Sequence, residues 1–377
     1  MSKVLFTAST YSHIVNFHRP YLAAFRQLGW TVEVVCGGTP MEIPEAHRVV
    51  YIPFEKEMLS PRNITAWRQL RRLMKEEGYD LVSCHTSLAS FFTRMAMRGL
   101  KNRPKVACVA HGYLFGEENS AAKNLLLSTA EGLAAPVTDL LMTMNSWDTG
   151  YAMAHKLGKK IVEVPGIGLD TDRLRPVSGQ ERAALRAEWG VAEGDILLLY
   201  AAEFSGRKSQ QVLIRAMTHL PEQVKLALPG QGALREACMA LAEELGVAGR
   251  VLFPGQVQMA RWYGAADLAV SASRSEGLPF NIMEAMYCGL PVVASRVKGH
   301  TDLLEESGAG LLYPYGDWAA CAGCIQELLQ DRGLAGRMGE QGRQAVQAYT
   351  LDRVQPVIMA QYGSLVPLEQ PASAGVV

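Results

Sequence analysis

Residues 271–294 read SASRSEGLPFNIMEAMYCGLPVVA, and the order of turn, helix and strand within them decides the architecture. An apolar strand, Leu268 to Val270, runs into this stretch, and a second, Pro291 to Ala294, leaves it. The Gly277-Leu278-Pro279 turn between them opens a helix, so it lies at the carboxyl end of a strand, where open α/β sheets bind ligands. Pro279 suits the first helical position, where its missing N–H has no intrahelical partner. The amides of Leu278, Phe280 and Asn281 then face whatever lies before the helix, an arrangement that receives anions. Glu276 stands at the mouth of this turn, and Glu284 lies about two turns inside the helix. Two glutamates are more often solvated surface residues. Glu284, however, sits in the run Ile282-Met283-Glu284-Ala285-Met286, where burying a carboxylate without partners is costly. The pair is therefore read as functional, with one carboxylate for a polyol near a phosphate and the other for a second pair of hydroxyls behind it.

Working outward, strand and helix patterns alternate along the 377 residues, which predicts a parallel sheet in each of two doubly wound domains. In the first half the expected strands are Val4–Phe6, Val32–Val35, Val49–Ile52, Leu81–Cys84, Val106–Ala110, Leu140–Met144 and Ile161–Val164. The stretch STYSHIVNFHRP after the first strand reads as a loop, followed by a helix that Gly29 ends. In the second half the strands are Ile196–Tyr200, Val224–Leu228, Val251–Phe253, Leu268–Val270, Val292–Ala294 and Gly310–Leu312. The Gly-, Pro- and Asp-rich segment VPGIGLDTDRLRPVSG reads as the linker. The expected domains are 1–167 and 168–350, with a helix over 351–366 packing back on the first and a disordered tail over 367–377. Two such domains in tandem are expected to face each other across a cleft.

Composition excludes several classes. Formal net charge is zero, so nothing draws the whole chain to nucleic acid. The charge is divided unevenly: residues 1–170 hold 19 Lys or Arg against 15 Asp or Glu, and the remainder holds 18 against 22. Arg62, Arg68, Arg71, Arg72 and Lys75 share one expected helix, which is either a solvated face or a patch for an anionic membrane surface. Seven scattered cysteines, with only Cys321 and Cys324 spaced C-x-x-C, read as free thiols in a reducing compartment. The start MSKVLFTAST has no signal-peptide pattern, and no apolar run approaches the length of a membrane span, so the expected location is cytoplasmic.

Further signals fall at other strand ends. Ala201 to Ser209, AAEFSGRKS, offers Arg207 as a fork and Lys208 as a point charge, which suits a diphosphate. The spacing of a Walker loop is absent. Gly230, in Pro229-Gly230-Gln231-Gly232, and Gly255, in Phe253-Pro254-Gly255, allow a base or ribose to approach the backbone. In the first domain His111-Gly112 follows a strand and is placed across the cleft from Glu276. His13, Asn16 and His18 either line an acceptor site or cap the following helix. No Gly-x-Gly-x-x-Gly follows an early strand, which argues against a dinucleotide oxidoreductase.

These residues resemble the retaining, nucleotide-sugar-dependent glycosyltransferases of family four, which have the GT-B fold. The likeness spans nearly the whole chain. It is most specific in Ser275-Glu276-Gly277-Leu278-Pro279 through Glu284-Ala285-Met286 and Gly289-Leu290-Pro291, and it includes Gly168-Leu169-Asp170 at the junction. The opening TASTYSHIVNFHRPYLAAFRQLGWTVEVV is similar to enzymes that build capsular, exopolysaccharide or lipid-linked glycans.

The resemblance implies that Glu284 holds the ribose hydroxyls and Glu276 the donor sugar. It implies that Lys208 holds the diphosphate, that Leu278, Phe280 and Asn281 hold sugar and phosphate oxygens, and that His111 orients the donor sugar. The family often has Gly-Arg-Leu at the start of the phosphate loop. Here Glu203 stands in place of that Arg, and Arg207 is the candidate second cation. The implied reaction is transfer from a nucleoside-diphosphate sugar, UDP-linked in the expected case, to a glycan or polyprenyl-diphosphate-linked acceptor. Internal return and a short-lived covalent species on Glu276 both remain open for the retaining step. No Asp-x-Asp motif is present, so no metal or other cofactor is expected. A hinge is expected at 165–175. Two alternatives are carried: a sugar-nucleotide 2-epimerase of the same fold, and a nucleotide-sugar-binding subunit without activity.

Overall fold

A computed structural model of the chain describes residues 2–55, 60–116, 119–174 and 176–368. The expected tail therefore lies outside the described residues from position 369 onward. Contacts divide the chain into two compact units, Met1–Ile167 with Asp352–Val377, and Gly168–Leu351.

The first unit contains β1 (Lys3–Thr7), β2 (Thr31–Cys36), β3 (Arg48–Tyr51), β4 (Leu81–His85), β5 (Lys105–Val109), β6 (Leu140–Thr143) and β7 (Lys160–Glu163). They form one parallel sheet in the order β3-β2-β1-β4-β5-β6-β7. The central strands are apolar runs because helices cover both faces of a parallel sheet. Val4, Leu5 and Phe6 are fully buried, as are Leu81, Val82, Leu140 and Leu141. The C-terminal helix Leu351–Gly363 brings Tyr362 against Phe6 and Phe25, and the Tyr362 hydroxyl lies 2.7 Å from Ser83 Oγ.

The second unit contains β8 (Ile196–Leu199), β9 (Val224–Pro229), β10 (Val251–Gly255), β11 (Leu268–Ser271), β12 (Val292–Ser295) and β13 (Gly310–Tyr313). Its parallel order is β10-β9-β8-β11-β12-β13. Leu198, Tyr200, Leu226, Leu228, Val270 and Val293 form part of its core. Burying each such side chain is worth about 1.5–3 kcal/mol.

Both sheets reverse their winding once, between β1 and β4 and between β8 and β11. At such a switch point the two adjacent loops diverge to opposite faces and leave a crevice at the strands' carboxyl ends. Each unit carries its polar cluster there.

Two sequence expectations are corrected. STYSHIVNFHRP is mostly helical, forming Tyr11–Phe17 and then Arg19–Gln27. Thr10 caps the first of these by accepting from His13 N at 3.3 Å. The second correction concerns Pro279, which caps the helix Phe280–Tyr287 with an extended ψ of 113° instead of occupying its first turn. Glu284 is therefore the fifth helical residue, between one and two turns in.

Candidate functional site

In the second unit the switch point brings together the loop after β8 and the loop after β11. The β8 loop carries Arg207 and Lys208, and the β11 loop carries Glu276. The Lys208 ammonium bonds Glu276 Oε1, and Arg207 Nη1 donates to Glu276 Oε2 at 3.0 Å and to Ser275 O at 3.1 Å. Glu276 is 7% exposed, the Lys208 side chain 13% and the Arg207 side chain 46%. Burial by itself would raise the Glu276 carboxyl, but Lys208 and then Arg207 outweigh it and hold the group at about 2. The carboxylate is thus ionised at neutral pH, and its charge is balanced by two cations of which one is open to solvent.

The loops are braced from below. The buried Tyr200 hydroxyl donates to Lys208 O at 3.0 Å and lies 2.7 Å from Ser273 Oγ. His300 is fully buried behind Glu276, with Nδ1 at 2.7 Å from Ser295 O and Nε2 at 3.2 Å from Ser271 Oγ. Burial, partly opposed by Glu276, lowers His300 to about 4, so it is uncharged at neutral pH. Gly299 has φ +80°, and a Cβ there would stand 2.5 Å from Gly277 O, so only glycine lets this loop pass under Glu276. Ser209, the cap of the following helix, has φ +50°, a conformation costly for a residue with a Cβ.

The helix Phe280–Tyr287 buries Ile282, Met283, Ala285 and Met286 and leaves Asn281 and Glu284 on one partly exposed face, three residues apart. Its positive end faces the Glu276 loop. Tyr263 donates its hydroxyl to Glu284 Oε2 at 2.6 Å. Burial raises the Glu284 carboxyl, and the Tyr263 bond works against that rise. Gly230 has φ +147°, and a Cβ there would meet Ala202 O at 2.1 Å. Its lack of a side chain therefore serves contact with the β8 loop. Gly255 O accepts from Gly230 N at 2.8 Å, which ties these two turns together. Glu203 is exposed and pairs with none of the site cations, leaving Arg207 as the second cation beside Lys208.

Sequence reasoning missed Tyr200, Tyr263 and His300. An aromatic ring after a strand or within a helix reads as core, and the hydroxyl gives no periodic signal. His300 follows Gly299 in a strand-to-helix turn, and that position was its one visible cue.

In the first unit the helix Tyr11–Phe17 with its capping residue His18, the loop after β5 and the end of β4 gather four histidines. His13, His18, His85 and His111 each offer a ring nitrogen within 4.8 Å of the others. His111 Nε2 lies 3.4 Å from His13 Nε2 and 3.3 Å from His85 Nδ1. Burial lowers His13 to about 4, and burial reinforced by the neighbouring rings takes His18, His85 and His111 well below the usual range. The expectation that His18 lines an open acceptor site is corrected: it is 1% exposed and forms the floor of the cluster. Its side chain makes no capping bond. Asn16 is exposed on the helix Tyr11–Phe17, and His13 and His111 are half-buried at the rim.

The switch point of the second unit thus gathers a cation pair, two glutamates and a helix start, groups whose chemistry suits an anionic, polyhydroxylated ligand. Residues 21–201 match the family model "Glycosyltransferase Family 4", and residues 181–345 match "Glycosyl transferases group 1". The chain is 34% identical over 349 residues to the putative glycosyltransferase EpsD of Bacillus subtilis (strain 168), covering 90% of this chain and 91% of that one. It belongs to the family-four glycosyltransferases of the GT-B fold. Among solved structures, sucrose-phosphate synthase from Thermosynechococcus elongatus superposes with a TM-score of 0.80 at 23% identity, over 97% of this chain and 99% of that one. Anabaena HepE in complex with UDP-glucose gives 0.78 at 21% identity, over 97% and 100%. These structural likenesses speak to the fold.

Proposed function

We propose that the chain is a retaining glycosyltransferase that moves a sugar from a UDP-sugar to a glycan or polyprenyl-diphosphate-linked acceptor in cell-surface glycan synthesis. The observation that carries it is Glu276 held between Lys208 and Arg207 at the β8/β11 switch point, with Glu284 on the helix that follows. A diphosphate brings enough negative charge to draw both cations from Glu276. The released carboxylate then accepts hydrogen bonds from donor-sugar hydroxyls. Glu284, already accepting from Tyr263, has a second oxygen for the ribose hydroxyl pair. The HepE complex with UDP-glucose supports the choice of donor class, and EpsD supports transfer over epimerisation or passive binding.

In the transfer, the bond from the anomeric carbon to the diphosphate oxygen breaks and the bond to the acceptor oxygen forms on the same face. The acceptor's proton passes to the leaving diphosphate. Lys208, Arg207 and the helix start stabilise the charge that develops on that leaving group, without a metal at the phosphate. Glu276, a weakly basic carboxylate already bonded to two cations, is a poor nucleophile, which favours internal return over a covalent intermediate. The acceptor falls to the first unit, where Asn16, exposed on the helix Tyr11–Phe17, and the rim of the histidine cluster lie beside the β1/β4 switch point.

The experiment is calorimetry with UDP. Wild type should bind with the same affinity in EDTA as in Mg²⁺, and Glu284→Ala should weaken binding by about 1–3 kcal/mol through loss of a buried ribose contact. Unchanged affinity in a folded variant removes the ribose assignment, and loss of binding in EDTA removes the metal-free one.

A further inference from the structure

We propose that His13, His18, His85 and His111 form a binding site for a first-row transition-metal dication, zinc in the first instance, at the β1/β4 switch point of the first unit. The two short nitrogen separations, 3.3 and 3.4 Å, are the first reason. Ligands about 2.0–2.1 Å from a tetrahedral zinc stand about 3.3–3.4 Å apart along each edge of the tetrahedron. Hydrogen bonding among the rings does not account for the arrangement as well. His111 Nε2 is the near neighbour of two other ring nitrogens and can share only one proton with either.

The second reason is His18. Its Nε2 is buried and has no hydrogen-bond partner, in a residue that is 1% exposed. A buried polar atom without a partner is costly, and a shared cation removes that cost.

The third reason is the support behind the ring. His85 presents Nδ1 to the cluster while its Nε2 lies 2.9 Å from Ser83 Oγ, which in turn lies 2.7 Å from the Tyr362 hydroxyl. Metal-bound histidines are commonly held in this way through their second nitrogen. The donor set is four imidazoles and no carboxylate, which suits zinc, cobalt, nickel or copper and not magnesium or calcium. His18 and His85 form the floor, and the half-buried His13 and His111 leave a path for the ion from the rim. None of these residues belongs to the Lys208–Arg207–Glu276 site of the second unit, so diphosphate binding there and a metal here are tested separately.

The test uses the full chain, stripped with a chelator and exchanged into chelator-free buffer. Titration with Co²⁺ should give the visible absorption of a four-coordinate nitrogen site, saturating at one ion per chain. Zn²⁺ should displace it and Mg²⁺ should not. His18→Phe should abolish the signal. The rim variants His13→Asn and His111→Asn, which disturb less of the interior, should weaken binding at least tenfold while circular dichroism and UDP affinity stay as in wild type. Ser83→Ala should weaken it by about 10–100-fold. Absence of saturable Co²⁺ and Zn²⁺ binding by wild type overturns the proposal. So does equal binding by wild type and the rim variants, or a cobalt spectrum with sulfur charge-transfer bands, which would place the ion on cysteines.

Discussion

A phosphate that comes to Lys208 and Arg207 has to take them from Glu276. The carboxylate is nearly buried and held at about 2 by those cations, so at neutral pH it always competes. Glu276→Gln removes the competing charge and keeps the shape. The variant should bind UDP alone up to about tenfold more tightly, or about 1.4 kcal/mol. Sugar transfer should nevertheless fall by about 100-fold or more, because the carboxylate proposed to hold the donor hydroxyls is gone and the cations lose their tuned position. Calorimetry and a product assay on one preparation decide the matter. Weaker UDP binding by the folded variant would mean that Glu276 organises the cations instead of competing for them. At this scale the individual residues were legible, since Glu276, Glu284 and Lys208 each stand at a strand end or in an apolar run. Their pairing was not, because residues 208 and 276 meet only through the adjacency of β8 and β11. Of the four histidines, His13, His18 and His111 stood out in the sequence and His85 did not; their clustering was hidden, because positions 13, 18, 85 and 111 follow no metal-ligand spacing and folding alone brings them together.

At the scale of elements, the parallel strands were readable because burial on both faces makes each an unbroken apolar run. The helix Tyr11–Phe17 was not, because TYSHIVNF mixes aromatic and β-branched residues with polar ones, and its start signal is a lone threonine. Also hidden from the sequence was a buried ion pair between helices. Arg94, on Ser87–Met97, is fully buried and reaches both carboxylate oxygens of Glu131, on Ala121–Ala134, at 2.9 and 3.0 Å. It also contacts Thr138 Oγ1 at 3.3 Å and Ser90 O at 3.2 Å. Glu131→Ala leaves a guanidinium buried without its counter-charge and should destabilise the first unit by about 3–5 kcal/mol. Replacing both partners, Arg94→Met with Glu131→Leu, should recover most of the loss, since the desolvation cost disappears with the pair. Urea unfolding followed by circular dichroism measures both. A Glu131→Ala loss below about 1 kcal/mol, the level of an exposed pair, would show that the pair is solvated.

At the scale of the whole chain, the question is where the acceptor is met. No helix among the described residues is long and apolar enough to cross a membrane. The excess of cations on residues 1–170 first suggested the helix around Arg68 to Lys75 as the contact, but the structure redistributes that charge. Arg71 donates to Ala96 O and Arg98 O, both at 2.9 Å, and so closes the end of the neighbouring helix. Arg72 pairs with Glu76. Arg68 and Lys75 remain exposed. The helix Ala121–Ala134 adds an apolar face: Leu125 is 68% exposed, Leu126 48% and Leu133 45%. Two contacts are proposed, each tested on its own: insertion of these leucines, and attraction of Arg68 and Lys75 to anionic headgroups at about 1 kcal/mol per cation. Wild type should sediment with anionic vesicles, and less so in high salt, where screening shortens to about 3 Å at 1 M. Leu125→Ser with Leu126→Ser should lower recovery at every salt concentration. Arg68→Glu with Lys75→Glu should lower it only at low salt, and Arg71 is left alone because its loss would damage the fold. If wild type stays in the supernatant with anionic vesicles, the membrane contact fails, while the donor site, built from residues of the other unit, is untouched by that result.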